Sequence, residues 1–143
     1  MAISRNQENF AIMTVIYDEL VDFYNAQKQK ELGIRNFKEL AASILEIDEE
    51  TVPQYVINCI FYSLNKYGEI VNAYIPFLKK WSWERLPLLT QSILLMSYSH
   101  FFYVEKIDKR IVISVAVKLA KKYVDLTQAK FINAILDGVL NRA

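Results

Sequence analysis

The sequence predicts an all-α fold, a helical bundle of about seven helices. Apolar residues recur at helical spacing along most of the chain, and strand-like alternation is nowhere sustained. Only three glycines and three prolines among 143 residues leave little turn punctuation. An apolar fraction of 53% supports a sizeable core without staples, and no low-complexity tract or repeat interrupts it. The length fits a single domain, 1–143.

The first helix is expected over residues 5–26, with Phe10, Met13, Ile16, Tyr17, Leu20, Phe23 and Tyr24 inward and Thr14, Asp18 and Asp22 outward. Residues 28–36, containing Gly33, read as a loop. Asn36 is then the N-cap of a short helix carrying Phe37, Leu40, Ala41, Ile44 and Leu45. Asp48, Glu49 and Glu50 lead into Pro53, which suits the first turn of a third helix because its missing N–H is no loss there. That helix reaches Tyr67 and is closed by Gly68.

A fourth helix follows over 69–79, bent or shortened by Pro76, and 81–85 is a connector. Pro87 opens a fifth helix to about residue 103, in which Leu88, Leu89, Ile93, Leu94, Met96 and Tyr98 are expected inside. The last two helices span about 108–124 and 127–141, with Thr127 capping the second. On the sixth, Arg110, Ser114, Lys118, Lys121 and Lys122 share one arc, opposite Val112, Val115, Ala116, Leu119 and Tyr123. On the seventh, Ala129, Ile132, Ile135, Leu136, Val139 and Leu140 face inward, and Lys130, Asn133, Asp137 and Asn141 outward. Phe131 sits at the boundary beside Ala134 and Gly138.

Net charge is +1, but it is unevenly spread. Residues 1–75 carry six Lys+Arg against eleven Asp+Glu, a balance of −5, and residues 76–143 carry eleven against five, a balance of +6. The basic half suits phosphates and the acidic half a basic protein; a segregated solvated surface is the plainer reading. The lysine arc is likewise either a solvated face or a phosphate-binding edge. Phe131 with Lys130 is either interhelical packing or a stacking platform beside a cation, the usual way to hold single-stranded RNA. Tyr17 and Tyr24 beside Asp18 and Asp22 would edge an acidic surface for a basic partner, or else are core tyrosines with hydroxyls at the rim.

Enzyme chemistry finds little support. There is no glycine-rich phosphate loop, and the acids at 48–50 lack the spacing of a calcium loop. The single histidine, His100, stands on the most apolar helix with Glu105 expected on later turns outward, so it reads as structural or solvent-facing. Cys59 lies in an apolar helical run and reads as a buried thiol in a reducing compartment. The polar stretch 4–9 does not fit a secretory leader, and no run approaches the ~18 apolar residues of a membrane span. A cytoplasmic protein without cofactor or metal is expected.

The order Ile111-Val112-Ile113, Ala116-Val117, Leu119-Ala120-Lys121, then Phe131-Ile132-Asn133 and Ile135-Leu136-Asp137 resembles the C-terminal signature of the NusB family. Leu78, Trp81, Arg85-Leu86, Ile93-Leu94 and Tyr98 are similar to its central tryptophan, Arg-Leu pair and following helix, and Arg5 with the helix through Tyr17 to its N-terminal helix. The resemblance implies about seven helices in two packed subdomains and no catalysis. It implies binding of boxA ribosomal RNA with the NusE ribosomal protein, in support of an RNA polymerase complex resisting termination. It places Arg5 in a basic N-terminal segment, Tyr17 near the protein partner, and Lys130 and Phe131 on RNA. The chain departs from the family pattern in having Asn6, Gln7, Glu8 and Asn9 after Arg5 where arginines are usual, Ser114-Val115 for Asn-Glu, and Gln91, Leu95 and Ser99 on the fifth helix. Fewer arginines mean fewer phosphate contacts. The second reading is therefore a diverged module of the same fold that binds protein only and self-associates, as a homodimer, through exposed aromatics.

Overall fold

The computed structural model describes residues 2–26 and 37–141, and within them seven α-helices and no strand. The helices are α1 (Arg5–Ala26), α2 (Phe37–Leu45), α3 (Gln54–Asn65), α4 (Tyr67–Leu78), α5 (Leu88–Ser99), α6 (Lys109–Tyr123) and α7 (Leu126–Leu140). Short 3-10 turns occupy Glu49–Thr51 and Trp83–Arg85, and a π-helical turn, His100–Val104, continues α5. The expected loop at 28–36 and the Asn36 cap lie outside the described residues.

Helix α5 is the axis of the assembly, packed against α1, α3, α4, α6 and α7. Every residue from 90 to 97 is buried, so that stretch has no solvent face. Its apolar members Ile93, Leu94, Leu95 and Met96 are core residues, whereas Leu88, Leu89 and Tyr98, expected inside, are half-buried. Helices α6 and α7 form an antiparallel pair whose inward arcs fall where the periodicity puts them. At its open end Lys109 binds Asp137 at 2.9 Å and also Asn141.

The polar residues of α5 fix its neighbours. The Ser92 hydroxyl donates to the Met13 carbonyl of α1 at 2.7 Å, and the Ser99 and Ser63 hydroxyls pair with α3 at 2.9 Å. Thr90 donates to the Gln128 side-chain carbonyl of α7 at 2.8 Å. Gln91 Nε2 donates to the carbonyls of Trp83 and Leu86, both at 3.1 Å, and so grips the connector from α4. From α4, the fully buried Tyr74 donates its hydroxyl to the Leu94 carbonyl at 2.7 Å.

Four element ends differ from expectation. Helix α3 stops at Asn65 and α4 begins at Tyr67, so Gly68 lies inside α4 rather than closing α3. The break at Lys66 lets the Tyr67 hydroxyl accept from Trp83 Nε1 at 3.1 Å. Asp125, not Thr127, caps α7, because its carboxylate reaches the Gln128 N–H at 2.7 Å. Pro53 and Pro87 both stand at N-caps, one residue outside their helices.

Helix α2 ends with Glu46 at φ 58, where Ile47 N–H reaches the Ala42 carbonyl and Glu46 N–H the Ser43 carbonyl. This is the Schellman pattern, built on a non-glycine residue. Gly138 of α7 instead sits close to a neighbour: a Cβ there would meet the Phe77 ring of α4 at 3.0 Å, so the ring would have to shift by a few tenths of an ångström to admit it.

Tyr74→Phe should lower stability by about 1 kcal/mol, the net value of one buried hydrogen bond. Tyr74→Ala should cost about 3–5 kcal/mol through the cavity it leaves. Urea unfolding of the two variants checks both the order and the gap between them.

Candidate nucleic-acid interface

The expected RNA-binding residues fall into three environments. Lys118 and Lys122 of α6 line a cleft of about 220 Å3 against Asn6, Asn9 and Phe10 of α1. Phe10 and Tyr123 pack there with ring centroids 5.2 Å apart, and Lys122 Nζ lies 5.4 Å from the Tyr123 centroid. A second hollow continues this cleft past Gln7 to Ile44 and Leu45 of α2. Lys121 is exposed on the same helix.

Phe131 is half-buried and opens into a different cleft, of about 490 Å3, whose other walls are Trp81, Arg85, Leu86 and Pro87. The two clefts share no lining residue, so the ring and the α6 lysines do not occupy one pocket. Lys130, next to the ring in sequence, is exposed. Thr127 and Gln128 complete the wall on the α7 side.

Arg5 turns from both clefts. Its guanidinium sits 3.7 Å from the Tyr55 ring centroid and pairs with Glu8 at 3.4 Å and Glu105 at 3.3 Å. Arg110 is similarly engaged by Asp108, at 2.7 Å, which holds that carboxyl down at about 2.

The sequence signals miss Trp81 and Arg85 as site residues. Trp81 is 54% exposed, whereas Trp83, two residues on, is buried and hydrogen-bonded. The cue available was the run Lys79-Lys80-Trp81 followed by Arg85, which interleaves cations with an aromatic in a connector. Its fold-level reason is visible only in three dimensions: Gln91 pins the carbonyls of Trp83 and Leu86, and so holds the connector beside α7.

Of the residues expected to meet a protein partner, Tyr17 (36% exposed), Asp18 and Asp22 reach the surface of α1. Tyr24 is half-buried and edge-on to Phe23 at 5.4 Å.

His100 requires a correction, because Glu105 does not lie outward of it. The π-helical turn brings residues five apart alongside, and Glu105 N–H reaches the His100 carbonyl at 3.2 Å. The Glu105 carboxylate then meets His100 Nε2 at 2.8 Å. Nδ1 faces the Tyr55 hydroxyl at 3.4 Å, which itself donates to Asn9 at 2.6 Å. Burial pushes the imidazole below 6.5, and Glu105 offsets part of that. The His100 hydrogen bond, with Arg5 adding to it, lowers the Glu105 carboxyl below 4.5. Cys59, buried beside this cluster, has its thiol pushed up to about 12 by burial and is inert.

No group of His, Cys, Asp and Glu able to hold a metal occurs among the described residues. No helix among them is long and apolar enough to cross a membrane.

A family model described as the NusB family matches residues 13–141. T. maritima NusB superposes with a TM-score of 0.74 at 20% identity, covering 99% of this chain and 93% of that one. A chain in the crystal structure of a plectonemic RNA supercoil superposes with a TM-score of 0.78 at 20% identity, covering 96% and 94%. At such identity the two structures establish the fold. The family match begins at Met13, after Arg5.

The lowered His100 pKa means that the unfolded chain takes up the proton first as pH falls. Stability should therefore be lost as pH drops below 6.5, and further below 4.5 as Glu105 protonates. His100→Gln keeps a donor for Glu105 but does not titrate. In thermal unfolding from pH 7.5 to 5, its melting temperature should fall less than that of wild type.

Proposed function

The chain belongs to the NusB family of non-catalytic, RNA-binding transcription antitermination factors, and on that premise we propose that it binds single-stranded, boxA-like RNA together with the NusE ribosomal protein in a transcribing RNA polymerase complex. One observation carries this reading. The Phe131 ring opens into a cleft that has a cation, Arg85, and no carboxylate among its lining residues. A π-face beside positive charge is the chemistry that holds an unpaired base and its phosphate.

In this reading Lys118, Lys121, Lys122 and Lys130 meet phosphates along the strand. Arg5 contributes only after leaving Glu8, Glu105 and Tyr55. Tyr17, Asp18, Asp22 and Tyr24 receive the basic ribosomal protein on the acidic half of the chain. RNA affinity then depends on the partner more than it would with a free N-terminal arginine cluster.

The commitment of Arg5 to an internal ion pair favours one second reading, a protein-only module that self-associates. Titrating fluorescent boxA-like RNA with and without the ribosomal protein separates the two; no response in either condition selects the second.

Phe131→Ala should weaken RNA binding by about 1–3 kcal/mol, the value of one stacked base, and leave the salt dependence unchanged. Lys130→Ala should instead reduce the slope of log K against log salt by about 0.7, one phosphate contact on a single strand. RNA titrations at four salt concentrations distinguish lost stacking from lost charge.

A further inference from the structure

We infer that Trp81 and Phe131 are two stacking surfaces of one slot that takes a single base of RNA, with Arg85 at its rim for the adjoining phosphate. This rests on the RNA-binding reading of Phe131 and adds to it a second ring from a different part of the chain. Both rings line the same cleft, yet among the described residues neither makes a ring contact with the other or with any other aromatic. Other exposed or half-buried rings, such as Tyr62 and Tyr103 or Phe101 and Phe102, are stacked or edge-packed on one another. Phe131 rests partly on the core, so what the cleft offers a ligand is the exposed Trp81 ring and the part of Phe131 that the core leaves open.

The slot is held from within. Thr90 and Gln91 are adjacent, fully buried residues of α5, and each fixes one wall. Thr90 donates to Gln128 on the α7 wall, and Gln91 to the carbonyls of Trp83 and Leu86 on the connector wall. A gap set by buried hydrogen bonds loses little ordering entropy when a flat ring enters.

Charge selects the occupant. The segments that build the slot, 79–87 and 127–131, carry Lys79, Lys80, Arg85 and Lys130 against one carboxylate, Glu84. Apolar faces under a net positive rim match a nucleobase on a phosphate backbone better than an acid-free apolar peptide.

Trp81 reports directly on its own occupancy. A 12-nucleotide, boxA-like single-stranded RNA with a 5′ fluorescein gives affinity by anisotropy, and the unlabelled strand gives tryptophan quenching. Wild type should show saturable quenching that tracks binding, and Trp81→Phe should bind within a few-fold while losing that quench. Trp81→Ala should bind about 5- to 100-fold more weakly, the equivalent of one lost stacked base, with an unchanged melting temperature because the residue is exposed. RNA that binds without quenching, or equally well to Trp81→Ala, overturns the slot and leaves RNA binding by Phe131 standing. Absence of RNA binding by wild type, with or without the ribosomal protein, overturns both.

Discussion

Burial of the whole 90–97 stretch of α5 is the constraint on which the rest depends. A helix without a solvent face must pair each polar side chain internally, since an orphaned buried group costs on the order of 1–3 kcal/mol. Here Thr90, Gln91, Ser92, Ser97 and Ser99 all find partners, and four of the five reach a different segment. Apolar contact alone would allow α1, α3, α7 and the connector to slide along α5. Directional bonds do not. Among the described residues, Gln91 Oε1 alone is a buried side-chain polar atom without a partner; the two bonds of Nε2 to the connector fix the orientation of the amide.

That arrangement separates two surfaces. At one end of α5, Thr90 and Gln91 set the Trp81–Phe131 cleft; at the other, the π turn delivers His100 and Glu105 to Tyr55, Asn9 and Arg5. The single cation of the N-terminal segment is thereby joined to a buried histidine through a shared carboxylate. In a chain with several N-terminal arginines, one such internal pair would matter little. Here Arg5 is followed by Asn6, Gln7, Glu8 and Asn9, so the pair engages the one arginine of that segment.

Helix periodicity is a strong signal in this sequence because nearly every helix is amphipathic, and the inward arcs of α6 and α7 fall as their spacing dictates. Helix ends were less legible. Gly68 and Thr127 are good terminators by type, but Tyr67 is drawn into α4 by its bond to Trp83, and Asp125 reaches the Gln128 N–H two residues before Thr127 acts. The site was half visible. Phe131 stood out by position on its helix, whereas Trp81 and Arg85 belong to a connector whose place is set by Gln91, a contact no local pattern encodes. The Glu105–His100 pair was hidden for the same reason: a spacing of five meets only in a π turn.

Hydrogen exchange in Gln91→Leu tests most directly whether α5 holds the connector in place. The replacement fills similar volume and removes only the two hydrogen bonds to the Trp83 and Leu86 carbonyls. Exchange should be faster at the Arg85 and Leu86 amides, with α5 and α6 core amides protected as in wild type. Connector amides that exchange at wild-type rates would contradict it.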